Sequence, residues 1–192
     1  MPRHPLEREY DLTAKEILDA LNKRFRAKVA LEGAVAEVHL GKLIEAARRD
    51  GAVHHFQVHD EDGYPDYTVW TSAEEEPEYR IECKNVRDST EAYREAGEIV
   101  AYKVETQKTR ASKGDPASRF YGTDQFEILA VCLGKKTHDW KQFLFIWTRD
   151  LARHGKYRKK LAVMHRVPLP DGPIEPPWYD SLVKLLQERQ GE

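Results

Sequence analysis

Two near-continuous apolar runs, Phe126 to Leu133 (FEILAVCL) and Phe143 to Thr148 (FLFIWT), constrain the fold more than any other feature of the sequence. A strand with one wet face alternates apolar and polar residues, so a run without alternation must be covered on both faces. The chain therefore needs a central sheet with a layer packed on each side. Each run is far below the roughly 18–20 residues that span a bilayer, so no membrane segment is expected. At 192 residues the chain fits a single domain.

Helical patterns lead. Thr13 and Glu16 form a capping box, and Ile17, Leu18, Leu21 and Phe25 follow at helical spacing, which predicts a helix over 13–28. A second helix is expected over 33–49, with Val35, Val38, Leu43, Ile44 and Ala47 on its apolar side and Asp50-Gly51 ending it. Strands are expected at 53–58 (VHHFQV), 67–71 (YTVWT) and 79–84 (YRIECK), the last two as a hairpin with a long polar loop. Asp88 and Glu91 read as the cap of a helix reaching about Ile99, and the alternation of 102–107 reads as a strand, with a continued helix as the alternative. After the two apolar runs come a basic loop or short helix over 149–160, a strand over 161–167, a segment (168–177) holding five of the ten prolines, and a closing helix over 179–190. The sum is one α/β or α+β domain with a mixed sheet.

Charge is unevenly spread. Residues 101–166 hold 15 of the 31 basic residues and 6 of the 33 acidic ones, a net of +9, while the remainder is net −11. That asymmetry suits a protein that holds a polyanion on one face. The two cysteines, Cys83 and Cys132, lie in apolar stretches and read as reduced, buried thiols, and two cysteines cannot build a cysteine-based zinc cluster. The first dozen residues carry no apolar leader, so a cytoplasmic location is expected. No G-x-x-x-x-G-K-[ST] is present, so no nucleotide cofactor of that type is expected.

The segment with most chemistry is Pro65-Asp66, then a gap, then Glu82-Cys83-Lys84. On a strand Glu82 and Lys84 share a face, and Asp66 stands at the mouth of the preceding strand. If the two strands pair, the two carboxylates converge, repel each other and call for a cation. Hard oxygen ligands with free positions suit Mg2+, and the main-chain carbonyl of Cys83 offers another oxygen. Lys84 beside such a metal can orient or activate a water and balance charge on a phosphate.

This pattern resembles the PD-(D/E)XK nuclease superfamily, whose members include restriction endonucleases, repair nucleases and junction resolvases. The order of expected elements from about 31 to 148 is similar as well. The resemblance implies a restriction-endonuclease-like α/β fold, a mixed central sheet flanked by helices. It implies Asp66 and Glu82 as metal ligands, Lys84 as the catalytic lysine, and an acid on the leading helix. Glu37 is the candidate for that acid, with Glu45 and Glu32 behind it. Gln107 or Lys108 corresponds to a further polar position that could meet the attacking water or a phosphate. The activity implied is a Mg2+-dependent endonuclease acting on duplex DNA, most simply a type II restriction enzyme. A junction or repair nuclease of the same fold, and a non-catalytic DNA-binding module, are the alternatives. One site per chain and two strands to cut point to a homodimer.

Lys108, Arg110, Lys113, Arg119, Arg149, Arg153, Arg158, Lys159 and Lys160 are candidate phosphate contacts. Tyr121 and Tyr157 lie among them and either pack or stack on bases. His54, His55 and His59 put two imidazoles on one strand face and one on the other, a polar surface rather than a zinc site. Trp70 and Trp147 are expected in the core.

Overall fold

The computed structural model describes residues 3–61, 63–74, 78–88, 90–108 and 114–188. It divides into two compact units, Met1–Val35 and Ala36–Glu192. In the first, α1 (Pro5–Glu9) and α2 (Ala14–Asn22) each begin with a reciprocal capping box. For α2 it is the expected one: Glu16 N–H donates to Thr13 Oγ1 at 3.2 Å and Thr13 N–H to Glu16 Oε2 at 2.8 Å. The next helix, α3 (Phe25–Arg49), starts three residues after α2 ends. The expected boundary between helices, at 28–33, is therefore wrong. The break falls at Lys23, whose N–H closes α2 onto Asp19 and Leu21 carbonyls. Gly33 costs a helix about 1 kcal/mol relative to alanine, and neighbours such as Ala30, Leu31 and Ala34 carry it.

Within the second unit, Ala36, Leu40, Ile44 and Ala47 form the buried stripe of α3. Val38, expected on that stripe, is 57% exposed. Then follow β1 (His55–Val58), β2 (Tyr67–Trp70), β3 (Glu78–Asn85), β4 (Ala92–Glu95), β5 (Glu98–Glu105), β6 (Ile128–Cys132), α4 (Gly134–Thr137), β7 (Phe143–Trp147), β8 (Met164–Val167), β9 (Trp178–Tyr179) and α5 (Leu182–Glu188). The main sheet has the order β1-β2-β3-β6-β7-β9 and a smaller one the order β4-β5-β8. Every named pair is antiparallel except β3–β6, so the main sheet is mixed.

All five residues of β6 and all five of β7 are buried, as their unbroken apolar runs require. On one face, α3 and α5 pack over Tyr67, Val69, Tyr79, Ile81 and Cys83. On the other, Leu129, Val131, Leu144 and Ile146 meet Val104 and Val167 of the small sheet together with Leu151 and Leu161. The expected α/β fold with a central mixed sheet and flanking helices is thus observed, with the second face covered by the smaller sheet. No described helix is long and apolar enough to cross a membrane.

The helix expected over 88–99 is instead the β4–β5 hairpin. Ala96 (φ 50°) and Gly97 (φ 91°) occupy the two central positions between paired Glu95 and Glu98. A two-residue turn with both φ values positive is the hairpin turn that matches strand twist. The acids that mimic a helix cap have other partners. Glu91 pairs with Arg87 at 2.7 Å, and Asp88 with Lys135 at 3.1 Å. The strand expected from 102 starts earlier, at Glu98, and the closing helix starts at Leu182 because Trp178 and Tyr179 pair with β7.

Candidate active site

Strand alternation sorts the side chains. Tyr67, Val69, Tyr79, Ile81 and Cys83 point into the core shared with α3. Thr68, Arg80, Glu82 and Lys84 point the other way. Tyr67 pairs with Ile81, so the same register sets Asp66, just before β2, opposite Glu82. The main-chain N–H of Cys83 donates to Asp66 Oδ2 at 2.6 Å and locks that side chain to β3. Glu82, 5% exposed, accepts from both Lys84 Nζ and the Tyr121 hydroxyl on one carboxylate oxygen. Glu37 of α3, Asp66 and Glu82 line one cleft of about 690 Å3, together with Tyr64, Lys108, Tyr121 and Gln125. Three carboxyl groups, an ammonium and a phenol from four separate stretches of chain therefore meet at the mouth of β2 and β3.

Their electrostatics are those of acids crowded away from water. Burial, with Glu82 beside it, lifts the Asp66 carboxyl to about 7, against the pull of Lys84 and of the Cys83 N–H. Burial also raises Glu37, with Lys84 opposing. Burial disfavours the Lys84 ammonium, but Glu82, Tyr121 and Asp66 more than offset this and hold its pKa above the ordinary lysine value. Burial raises the Tyr121 phenol as well. Lys84 is a fixed cation here and Tyr121 a fixed donor.

The donor set fits one hard divalent ion. Among the described residues no group of three or more His, Cys, Asp and Glu side chains is gathered as a cation cage. Asp66 and Glu82 give two carboxylates. The N–H and C=O of a strand residue point the same way, so the Cys83 carbonyl lies on the edge where its N–H meets Asp66. Mg2+ binds through one or two carboxylates and keeps several waters, so two carboxylates, one carbonyl and an open cleft suit it. The Cys83 thiol is excluded as a ligand. It is buried in the α3 core, and burial pushes its pKa well up.

A close approach positions Glu37. The Tyr67 hydroxyl donates to the Glu37 carbonyl at 2.8 Å. A Cβ on Gly41 would stand 2.5 Å from that hydroxyl oxygen, so only glycine lets α3 lie this close. Glu45, by contrast, is held by Arg48 at 2.8 and 2.9 Å and does not line the cleft.

The remaining sequence candidates divide. Lys108 lines the cleft, and its Nζ lies 5.5 Å from the Tyr121 ring centroid. Gln107 does not line it and bridges Phe120 instead. Arg110 and Lys113 lie outside the described residues. Arg119, Arg158 and Lys159 are exposed and Lys160 is half-buried. Main-chain bonds tie the 158–160 segment to the cleft wall: Lys160 bridges Gly122, and Thr123 N–H donates to the Lys159 carbonyl at 3.1 Å. Arg153 donates to the Thr148 carbonyl at 3.3 Å. His59 meets Thr68 Oγ1 at 2.8 Å, and His55 stacks on Trp70 with ring centroids 4.3 Å apart. Trp70 is thus only half-buried, while Trp147 is in the core. Sequence reasoning left Tyr121 as a packing or stacking residue and missed Gln125. The available signal for Tyr121 was a tyrosine inside a polar, basic stretch.

No known family model matches the chain, and no curated protein matches it in sequence. Among solved structures it is similar to a bacterial homing endonuclease, I-Ssp6803I, with a TM-score of 0.50 and 14% identity, over 85% of this chain and 96% of that one. At that identity the likeness is one of fold.

Proposed function

We propose that this chain is an endonuclease of the PD-(D/E)XK kind, hydrolysing phosphodiester bonds of duplex DNA with Mg2+ as cofactor. The observation that carries this is the meeting of Asp66, Glu82 and Glu37 in one cleft, with Lys84 donating to the Glu82 carboxylate. The basic segment joined to the cleft wall and the homing endonuclease of similar fold support it.

In this reading Asp66, Glu82 and the Cys83 carbonyl hold the Mg2+, which when bound polarises a phosphate oxygen and lowers the pKa of a water. Tyr121 and Lys84 fix the Glu82 carboxylate by hydrogen bonds. Lys84, protonated throughout, donates to an oxygen of the phosphate or the attacking water and balances developing charge. It is not a general base. Glu37, with its raised pKa, accepts a proton from the water. Lys108, Arg119, Arg158, Lys159 and Lys160 hold backbone phosphates, which adds affinity without reading sequence. Cutting both strands takes two such sites, so the working form is a homodimer. The cleavage is sequence-specific, as in restriction or homing.

The test is plasmid and linear duplex incubated with the purified chain in Mg2+ or in EDTA. Nicks and breaks are expected only with Mg2+, and Lys84→Ala should lose about 100-fold or more of the rate while still retaining DNA on a filter. Cutting in EDTA, or a Lys84→Ala variant as fast as the parent, would overturn the mechanism. Retention of DNA with no cutting under any divalent ion would make the chain a binding module.

A further inference from the structure

A second cleft, of about 470 Å3, adjoins the first and shares Gly63, Tyr64, Pro65 and Gln125 with it. Its floor is the outward face of β1, β2 and β3, and the register sorts that face into rows. Gln57 stands opposite Thr68, and Thr68 opposite Arg80. One step further from the carboxylates, His55 stands opposite Trp70, and Trp70 opposite Glu78. The row nearest the site is His59, Asp66 and Glu82, since His59 N–H donates to the Asp66 carbonyl at 3.0 Å. The polar face of the edge ribbon thus runs straight out from the candidate metal ligands.

Its chemistry is wrong for phosphates. Arg80 is already spent, on Glu127 at 2.6 and 3.0 Å and on the Asp124 carbonyl at 2.8 Å. Glu78 and Asp124 are exposed at its border and would repel a sugar-phosphate strand. What the face offers instead is the Gln57 amide, His59 against Thr68, and the His55–Trp70 stack. Gln57 is exposed, and its side chain has no hydrogen-bond partner among the described residues. β1 is the edge strand of the main sheet, so β1 with β2 is the part of that sheet most free to approach the major groove, where base edges are distinguishable.

We propose that the outward face of β1 and β2 is the base-reading surface of this nuclease, with Gln57 as its principal specificity residue. The proposal rests on the nuclease reading. Two residues along an antiparallel strand cover about 7 Å, and successive phosphates of one strand lie about 3.4 Å apart along the duplex axis. With a scissile phosphate at Asp66 and Glu82, the Gln57 row lies over the base pair about two steps away, and the His55–Trp70 row about four. A glutamine amide matches the N6 and N7 of adenine in a bidentate contact. Gln57 therefore selects an A·T pair at that distance.

The experiment is cleavage of a randomised duplex library in Mg2+, with the cut ends sequenced, for the parent, Gln57→Ala and Val58→Ala. Val58 is 59% exposed on the opposite face of the same strand and serves as control. The parent should prefer adenine about two pairs from the cut by on the order of 10-fold. Gln57→Ala should flatten that position and leave pairs beyond about five unchanged, and Val58→Ala should keep the parental profile. A parent that cuts with no base preference near the break, or a Gln57→Ala profile superimposable on the parent's, would overturn the proposal and leave the nuclease reading standing. A parent that cuts nothing would bring down that reading and this one together.

Discussion

Gly41→Ala puts a methyl group into a close approach of α3 to Tyr67 of β2. The new carbon would stand 2.5 Å from the Tyr67 hydroxyl oxygen and 3.3 Å from Cζ, so the ring or the helix must give way by roughly 1 Å to reach ordinary contact. Overpacking of that kind costs about 1–3 kcal/mol. Alanine returns about 1 kcal/mol through its better helix propensity. The expected net is a loss of about 0–2 kcal/mol, and a fall in Tm of up to a few degrees for a chain of this length. In a Tyr67→Phe background the offending oxygen is gone and the nearest atom is at 3.3 Å, so the same alanine should be neutral or mildly stabilising. The four proteins close a double-mutant cycle with a coupling of about 1–2 kcal/mol, read from urea unfolding of the metal-free forms. Because the Tyr67 hydroxyl holds the Glu37 carbonyl, Gly41→Ala should also slow Mg2+-dependent cleavage at temperatures where the fold is intact. If alanine at 41 stabilises the parent as much as it does the Tyr67→Phe form, the close approach does not constrain the helix and the positioning of Glu37 has another cause.

Asp66→Asn should stabilise the metal-free protein at pH 8 and abolish Mg2+ binding. The folded pKa of about 7 lies above the ordinary carboxyl value, so the contribution is intact below about pH 4 and lost as pH rises toward 7, when the unfolded chain sheds its proton first. The ceiling is about 4 kcal/mol and the shared charge with Glu82 brings the expected gain to about 1–3 kcal/mol. Urea midpoints at pH 4.5 and 8 check it, and a variant no more stable than the parent at pH 8 contradicts it. Replacing both Lys159 and Lys160 with alanine should weaken DNA binding and reduce the slope of log K against log salt by about 1–2. An unaltered slope takes that segment out of the interface.

Some of this architecture was written plainly in the sequence. FEILAVCL and FLFIWT had to be doubly covered strands, and they are β6 and β7. Glu82 and Lys84 share a face because strand alternation is local, and Asp66 joins them through a hairpin register that also follows from nearby residues. The connection from β3 to β6 was misread because Asp88 and Glu91 satisfy a helix-cap pattern while serving ion pairs, and the Ala96-Gly97 turn that decides the matter looks weak beside them. Gly33 likewise looked like a boundary inside what proved to be one helix. Tyr121 was invisible as a partner of Glu82, since nothing local announces a hydroxyl arriving from a loop 39 residues away.

The parallel pairing of β3 with β6 has a consequence for synthesis. Ile81 finds its neighbour only when Ile128 has been made, and the intervening hairpin must already be out of the way. A growing chain that has passed Lys84 but not reached Cys132 carries Glu82 and Lys84 on a strand that still lacks its neighbour β6. Whatever the cleft does, it does not exist on the ribosome until that late strand emerges. Fragments ending before it should lack the assembled cleft.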